Sequence, residues 1–457
     1  MNNFPRPKKR KDVIHEIAQA TNSGYVKEWL PIIRQMTKET YLTRGNSQDF
    51  ILCQVKLLKY IIDVGQERKS YQRNKNMIGK ALKSLSMNGA PKERIATAQS
   101  RFEQLQTYEM ATGFVESRLR GIGDAAAWRF LNYDRATLRL LSEHDVVGIP
   151  QVGPGLFAEV ERLSEVALAE GRQVILNAIT NCLRIGDITA YDPATGNIEL
   201  IEVKSGISET RRTIRQQTTR IKAQTAIDTG IVKVGDVEIE KLVSNQEFVS
   251  HIFSVERAIK EAKVKHASTR LFEDYLAVAV YWIPSMTSEL TDKEQSEIQN
   301  RTMDRLYSVA KGPSDILVPM QWNWFLISHF SPLFTPYLNF PIDPEIRFSI
   351  FTGEVVVMSL LNLSGVARWM ERRGWEVVLL EPPESIPWDD ENLFIPAMEV
   401  SNGRAKIQLP FEVFSLAALE FWGRESFERT LTTILEKTQT DGRHQVVFPN
   451  TGKYAWD

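Results

Sequence analysis

A chain of 457 residues with 43% hydrophobic and 25% charged residues has an ordinary globular composition and enough length for about two to four domains. Its formal net charge of −1 excludes a uniformly basic or acidic chain, and Cys53 and Cys182 are too few and too far apart for a disulfide framework or a zinc site. No apolar run approaches the roughly 18 residues of a membrane span, and no apolar segment follows the basic N-terminus, so the expected location is cytoplasmic with no membrane partner.

The near-zero net charge hides an asymmetry. The first 120 residues hold about twice as many Lys and Arg as Asp and Glu, which makes the N-terminal quarter the expected partner of a polyanion. Residues 1–11, with Pro5, Pro7 and Lys8-Lys9-Arg10-Lys11, read as a flexible basic arm. Residues 12–148 read as a helical, basic, nucleic-acid-binding domain, with runs such as Gln48 to Val64 and Lys92 to Tyr108 and breaks near Gly45, Gly65 and Gly89-Ala90-Pro91. Within it, Leu119 to Trp128, with Gly121-Ile122-Gly123, resembles a helix-hairpin-helix DNA-binding turn; a plain turn between helices is the other reading. Arg135 to His144 reads as a short helix.

The breaker-rich Gly148 to Gly155 marks the entry to a second region, 149–245. Leu156 to Ala169 has helical spacing and ends at Gly171, and it carries Glu159, Glu161 and Glu165. Gln173 to Arg184 is expected to be a strand or an extended stretch feeding the hairpin, with Cys182 a buried apolar residue. A hairpin follows: Gly186 to Tyr191 out, Asp192 to Asn197 as the turn, and Ile198 to Lys204 back. Alternation along the returning strand sets Glu202 and Lys204 on one face, so Asp187, Glu202 and Lys204 can meet at one sheet edge. Two carboxylates are hard oxygen ligands for Mg²⁺, and a lysine beside them can position the water that attacks a phosphodiester. The same residues also fit a hairpin with an exposed ion pair.

Asp187 and the tripeptide Glu202-Val203-Lys204 resemble the signature of the PD-(D/E)XK nucleases, which include many restriction endonucleases and the archaeal Holliday-junction resolvases. The resemblance covers about 75 residues, from Gly153 to about Asp228, and Gly186 stands where the motif's Pro would be. It implies a restriction-endonuclease-like α/β core over 149–245, within a chain that is α+β overall. By the same resemblance the catalytic residues are Asp187, Glu202 and Lys204. The ions are Mg²⁺ or Mn²⁺, held by Asp187, Glu202, the Val203 carbonyl and Glu159, the last matching a Gly-x-x-x-Glu spacing from Gly155. Ser208 to Asp228 is expected to form a helix with Ser208 as N-cap, and in this family such a helix faces substrate. Arg211, Arg215, Gln216 and Arg220 are its expected nucleic-acid contacts.

Residues 246–457 read as an α+β C-terminal domain of unassigned role. Ser254 to Arg270, Lys293 to Ala310 and Arg424 to Lys437 are expected helices, and Leu276 to Ile283 and Trp375 to Leu380 expected strands. Arg347 to Leu360, turning at Thr352-Gly353, and Ala397 to Leu409, turning at Asn402-Gly403, are expected hairpins. Glu381 to Glu391 is an acidic loop, and the aromatic stretch Trp322 to Phe325 either stacks bases or belongs to a core. No Walker A run and no internal repeat is present, so no ATPase motor is indicated.

The function these readings point to is divalent-metal-dependent hydrolysis of nucleic-acid phosphodiesters, DNA before RNA, in restriction or phage defence. The alternatives are a non-catalytic nucleic-acid-binding or scaffold protein with the nuclease fold, and a repair nuclease for branched DNA. A homo-oligomer or a partner protein is compatible with either.

Overall fold

The computed structural model describes residues 23–43, 47–131, 134–142, 150, 152–203, 211–234, 237–241, 249–312, 314–321, 337–380, 396–401, 403, 406–441 and 445–446. The basic arm 1–11, Lys204, the aromatic stretch 322–325 and the acidic loop 381–391 lie outside the described residues. The chain is α+β, with a helical N-terminal region.

Helices α1 (Gly24–Leu42), α2 (Gln48–Met87) and α3 (Lys92–Phe130) open it. The first two start on serines: the Ser23 and Ser47 hydroxyls accept from the Val26 and Phe50 N–H groups. Helix α2 ends where the expected break lies, with Gly89 at φ +62°. There the Ala90 N–H reaches back to the Leu85 carbonyl (3.0 Å) and the Gly89 N–H to Ser86 (3.4 Å), a Schellman ending that needs glycine's left-handed freedom. The expected break at Gly65 is absent. Gly65 lies buried inside the 40 residues of α2, because packing outweighs the roughly 1 kcal/mol that glycine costs a helix.

Gly121-Ile122-Gly123 is not a helix-hairpin-helix turn, nor a turn of any kind; it lies within the continuous α3. The glycines serve close approach instead. A Cβ on Gly121 would stand 2.9 Å from the Phe351 ring, and one on Gly123 would stand 2.2 Å from the Ile179 carbonyl oxygen. Only a residue without a side chain lets the helix backbone lie against another backbone at that distance.

After α4 (Arg135–Ser142) and α5 (Pro154–Leu168) comes a small antiparallel sheet of β1 (Gln173–Leu176), β2 (Ile188–Tyr191) and β3 (Ile198–Ile201), in that order. Its register pairs Gln173 with Tyr191 and Ile188 with Ile201. The expected strand Gln173 to Arg184 is thus only four residues long and gives way to a 3-10 turn, Asn177–Ile179. Helix α6 (Arg211–Thr229) follows, then β4 (Ile231–Val234) and β5 (Val237–Lys241).

Both edges of the three-stranded sheet are closed by glutamine amides. On the β1 edge, Gln54 of α2 donates to the Val174 carbonyl (3.1 Å) and accepts from the Leu176 N–H (2.7 Å). On the β3 edge, Gln224 of α6 donates to the Ile198 carbonyl (2.7 Å) and accepts from the Leu200 N–H (2.9 Å). Each side-chain amide takes the place of a neighbouring strand's peptide, which satisfies backbone groups that would otherwise be unpaired and blocks strand addition.

The C-terminal half runs through α7 (Ile252–Lys265), β6 (Ala267–Phe272), β7 (Leu276–Trp282), α8 (Ile283–Glu289), α9 (Asp292–Tyr307), β8 (Leu317–Gln321), α10 (Pro344–Thr352), β9 (Val355–Asn362) and α11 (Leu363–Glu371). It continues with β10 (Glu376–Leu379), β11 (Pro396–Ser401), β12 (Lys406–Pro410), α12 (Phe411–Leu419), α13 (Arg424–Asp441) and β13 (Gln445–Val446), which joins β5 and β4. The antiparallel sheet β6-β7-β9-β8 is covered on both faces. Leu276, Val278 and Val280 enter one core while Ala277, Ala279 and Tyr281 enter the other, so β7 reads as an unbroken apolar run. Two expectations fail here. Arg347 to Leu360 is not a hairpin: Asp343 caps a helix with Pro344 in its first turn, and Gly353 at φ +82° ends it before β9 begins. Ser254 to Arg270 is helical only to Lys265, after which His266 (φ +70°) turns the chain into β6. Ala397 to Leu409 is antiparallel as expected, with β11 paired to β12; Asn402 lies outside the described residues.

The two halves share cores. Leu338, Phe348 and Phe351 enter the same apolar cluster as Val26, Leu119 and Ile188. Asn339 donates to the Ala125 carbonyl (3.0 Å), and Arg135 forms a fully buried ion pair with Glu420, which also accepts from the Trp422 indole (3.2 Å).

A test of the α3 docking is Gly123→Ala. Helix propensity alone predicts a gain of about 1 kcal/mol. The backbone oxygen 2.2 Å from the new methyl carbon predicts the opposite, an overpacking loss of about 1–3 kcal/mol, read as a lower denaturant midpoint.

Candidate functional site

The site is assembled at one end of the small sheet, where α5, β2 and β3 bring acidic residues together. Helix α5 buries Leu163, Val166 and Ala167; Glu159 stands one turn before Leu163 on the same side and is half-buried. Asp187 immediately precedes β2, and Glu202 immediately follows β3. Both are half-buried.

Asp187 is held on three sides. Its N–H donates to the Ile201 carbonyl (2.9 Å), its carbonyl accepts from the Asn177 N–H (2.9 Å), and its Oδ2 accepts from the Val203 N–H (2.7 Å). The carboxylate therefore replaces a ladder partner just where β3 ends, four residues into the strand that was expected to reach Lys204. Before it, Gly186 sits at φ +77°, with the Ile201 carbonyl oxygen 3.1 Å from where a Cβ would be. Proline, locked near φ −65°, could not make this bend, and a Cβ here would press on the Ile201 carbonyl oxygen.

Behind the bend, Asn177 donates to the carbonyls of Ile185 (2.9 Å) and Gly186 (3.1 Å) and accepts from the Thr189 hydroxyl (2.9 Å). Farther back, the buried Asp124 of α3 accepts from the N–H groups of Asn181 (2.6 Å) and Cys182 (3.0 Å). Burial pushes the Asp124 carboxyl up, and these hydrogen bonds partly offset that. Asn177, Asp124 and the two edge glutamines are positioning residues that the sequence did not single out. The one available signal was a lone asparagine inside the apolar run Val174 to Ile179. Cys182 is fully buried and its thiol is pushed well up by burial, as expected of a packing residue.

The electrostatics bring Glu159, Asp187 and Glu202 into one group. Glu159 is raised to about 7, first by burial and then by the negative charges of Asp187 and Glu202. Asp187 is also raised by burial, opposed by the Val203 N–H. Among the described residues no group of three or more His, Cys, Asp and Glu side chains is set to hold a metal ion as it stands. The donor chemistry nonetheless fits a hard divalent cation, since a half-buried carboxyl raised by two neighbouring carboxylates is the condition such a charge relieves. Lys204 lies outside the described residues.

Of the expected nucleic-acid contacts, Arg215 and Gln216 are exposed on α6, and Arg211 begins that helix. Arg220 turns to the sheet and donates to the Leu200 carbonyl (3.0 Å), beside Gln224 on the β3 edge. Among the described residues no helix is long and apolar enough to cross a membrane.

A carboxyl whose folded value is raised keeps a proton that the unfolded chain has released, so stability falls as pH rises from the ordinary Glu range to about 7 and then levels off. Glu159→Gln is expected to be more stable than the parent at pH 8, with the difference closing towards pH 4.5, in denaturant titrations at both pH values. A difference independent of pH would mean that the three carboxylates do not face one another.

No family model matches the chain, and no curated protein or solved structure matches it either.

Proposed function

We propose that the chain is a divalent-metal-dependent nuclease that hydrolyses DNA phosphodiesters at Glu159, Asp187, Glu202 and Lys204. The observation that carries this reading is the effect of Asp187 and Glu202, at the adjoining ends of β2 and β3, on the half-buried Glu159 of α5, which burial first and then these two charges raise to about 7. A surface ion pair would not need a third, half-buried acid raised to about 7.

Glu159, Asp187 and Glu202 are the residues that would hold Mg²⁺ or Mn²⁺, with the Val203 carbonyl a further oxygen donor. When bound, the cation supplies Lewis acidity to the phosphate and to the attacking water. Asp187 is oriented by the Val203 N–H and by its backbone bonds to Ile201 and Asn177, so it has little freedom to move away from the ligand. Glu159, raised to about 7 without a cation, would give up its proton as it takes its place among the ligands. Lys204 is assigned to orienting the nucleophile and to charge stabilisation as the phosphate gains negative charge.

The test is cleavage of plasmid, linear and branched DNA with Mg²⁺ or Mn²⁺. Asp187→Asn, Glu202→Gln and Lys204→Met are each expected to lose at least about 100-fold in rate. Glu159→Gln is expected to raise the Mg²⁺ concentration needed for half-maximal cleavage. Full activity in the Asp187 and Lys204 variants would sink the assignment. A parent that binds DNA yet cuts it under neither metal would favour the non-catalytic binding protein.

A further inference from the structure

Beyond Gly65, α2 and α3 leave the body of the protein and continue as a two-helix arm, reversing at Asn88 to Pro91. On α2 the half-buried positions are Tyr71, Lys75, Ile78, Leu82 and Leu85, a four-three alternation that defines one seam. The seam is pinned at its root by Tyr71 stacked on Tyr108 (5.2 Å, 16°) and by Lys75 paired with Glu109; farther out the Phe102 ring fills the space left by Gly79. Nearly everything else on the arm is exposed.

From Gln66 to Tyr108 the arm carries nine Lys and Arg against three Asp and Glu, in a chain whose net charge is −1, and no acid occurs between Glu67 and Glu93. Lys69, Arg73, Lys80 and Lys83 each stand two residues before a seam position. At about 100° per residue that offset puts all four on the face opposite the seam, as one stripe about 21 Å long. All four are exposed, and none forms an ion pair among the described residues.

We propose that this stripe is a docking surface for the phosphate backbone of duplex DNA, and that the arm is the part of the chain that grips the substrate; this deepens the nuclease reading and rests on it for the choice of polyanion. The length of the stripe matches about six base pairs of rise. Tyr71 and Tyr108 are stacked on each other and Phe102 lies against Gly79, so although Tyr108 is exposed its ring already has a partner, and the arm is better suited to phosphates than to stacking unpaired bases. Two copies of the stripe would repel, which argues against a second chain as its occupant. The same helices root the arm in the sheet that carries the acids: α2 through Gln54 on β1, and α3 through Gly123 and Asp124 on residues 179–182. Grip and chemistry thus sit on one rigid frame.

The test uses the full chain with Lys69→Gln, Arg73→Gln, Lys80→Gln and Lys83→Gln together, since glutamine keeps the helix. Binding to a labelled duplex of about 30 base pairs is measured by anisotropy in EDTA from about 50 to 200 mM salt. The slope of log K against log salt should fall in magnitude by about 3 to 4, and affinity at about 100 mM salt at least tenfold, while a charge-keeping Lys69→Arg, Lys80→Arg, Lys83→Arg protein binds as the parent does. An unchanged slope overturns the proposal, as does tighter parental binding to single strands with the same loss, or a change in sedimentation with unchanged DNA affinity. Because EDTA prevents metal-dependent cleavage, the arm can be established even if no nuclease activity is found. Conversely, cleavage combined with an unchanged slope removes the arm and leaves the nuclease reading standing.

Discussion

The contact on which most of this structure depends is the docking of α3 against the loop that leads to the acidic hairpin. Three residues within little more than one turn of α3 meet it. Arg120 donates to the carbonyls of Ala178 (2.9 Å) and Thr180 (3.3 Å), Gly123 lets the helix reach the Ile179 carbonyl, and Asp124 takes the N–H groups of Asn181 and Cys182. That loop is buried, and its backbone groups would each cost about 1–3 kcal/mol if left unpaired. The helix satisfies them with one cation and one anion four residues apart, which also lie close enough to favour each other's charge. The position of Asp187 then follows by way of Asn177, which ties the loop to the bend before β2.

The small sheet shows how side chains can stand in for backbone. Strands of four residues make few ladder bonds and cannot hold together as an isolated meander. Gln54 and Gln224 supply the missing peptide partners on the two edges, Arg220 adds a third bond at Leu200, and the Asp187 carboxylate extends the pairing past the end of β3. The result is a platform whose edges are closed and whose acids are held from several elements. Precision of that kind is what a site needs, and a longer sheet is not the only way to obtain it.

The arrangement has an opposing term at its centre. Burial and the charges of Asp187 and Glu202 both disfavour ionised Glu159, and the surrounding fold is held by contacts elsewhere: the shared apolar core, the buried Arg135 and Glu420 pair, and the hydrogen bond from Asn339 to Ala125 that binds the C-terminal half onto α3. Removing one member of such a buried pair leaves an uncompensated charge worth about 3–5 kcal/mol, so the C-terminal half is part of what keeps the site assembled. Local instability at a site, offset by the surrounding fold, is a common trade between stability and function.

Local periodicity and turn chemistry determined a good deal by themselves. The hairpin that carries Asp187, the helix before it with Glu159, the break at Gly89, the buried strand at Leu276 and the pairing of β11 with β12 are all legible because each depends on a few neighbouring residues. Even the Asp343-Pro344 cap was present to be read, although Thr352-Gly353 suggested a hairpin first. What the sequence could not disclose is everything that depends on partners far along the chain. Gly121 and Gly123 look like a bend until Phe351 and Ile179 are seen against them, Gln54 looks like an ordinary helix residue until β1 lies beside it, and nothing in the sequence says that the Arg220 guanidinium meets the Leu200 carbonyl. Propensity is a property of a short segment, worth about 1 kcal/mol per residue at most apart from proline. Close approach, burial and the repulsion that raises Glu159 are properties of pairs, and only the tertiary structure decides which pairs meet.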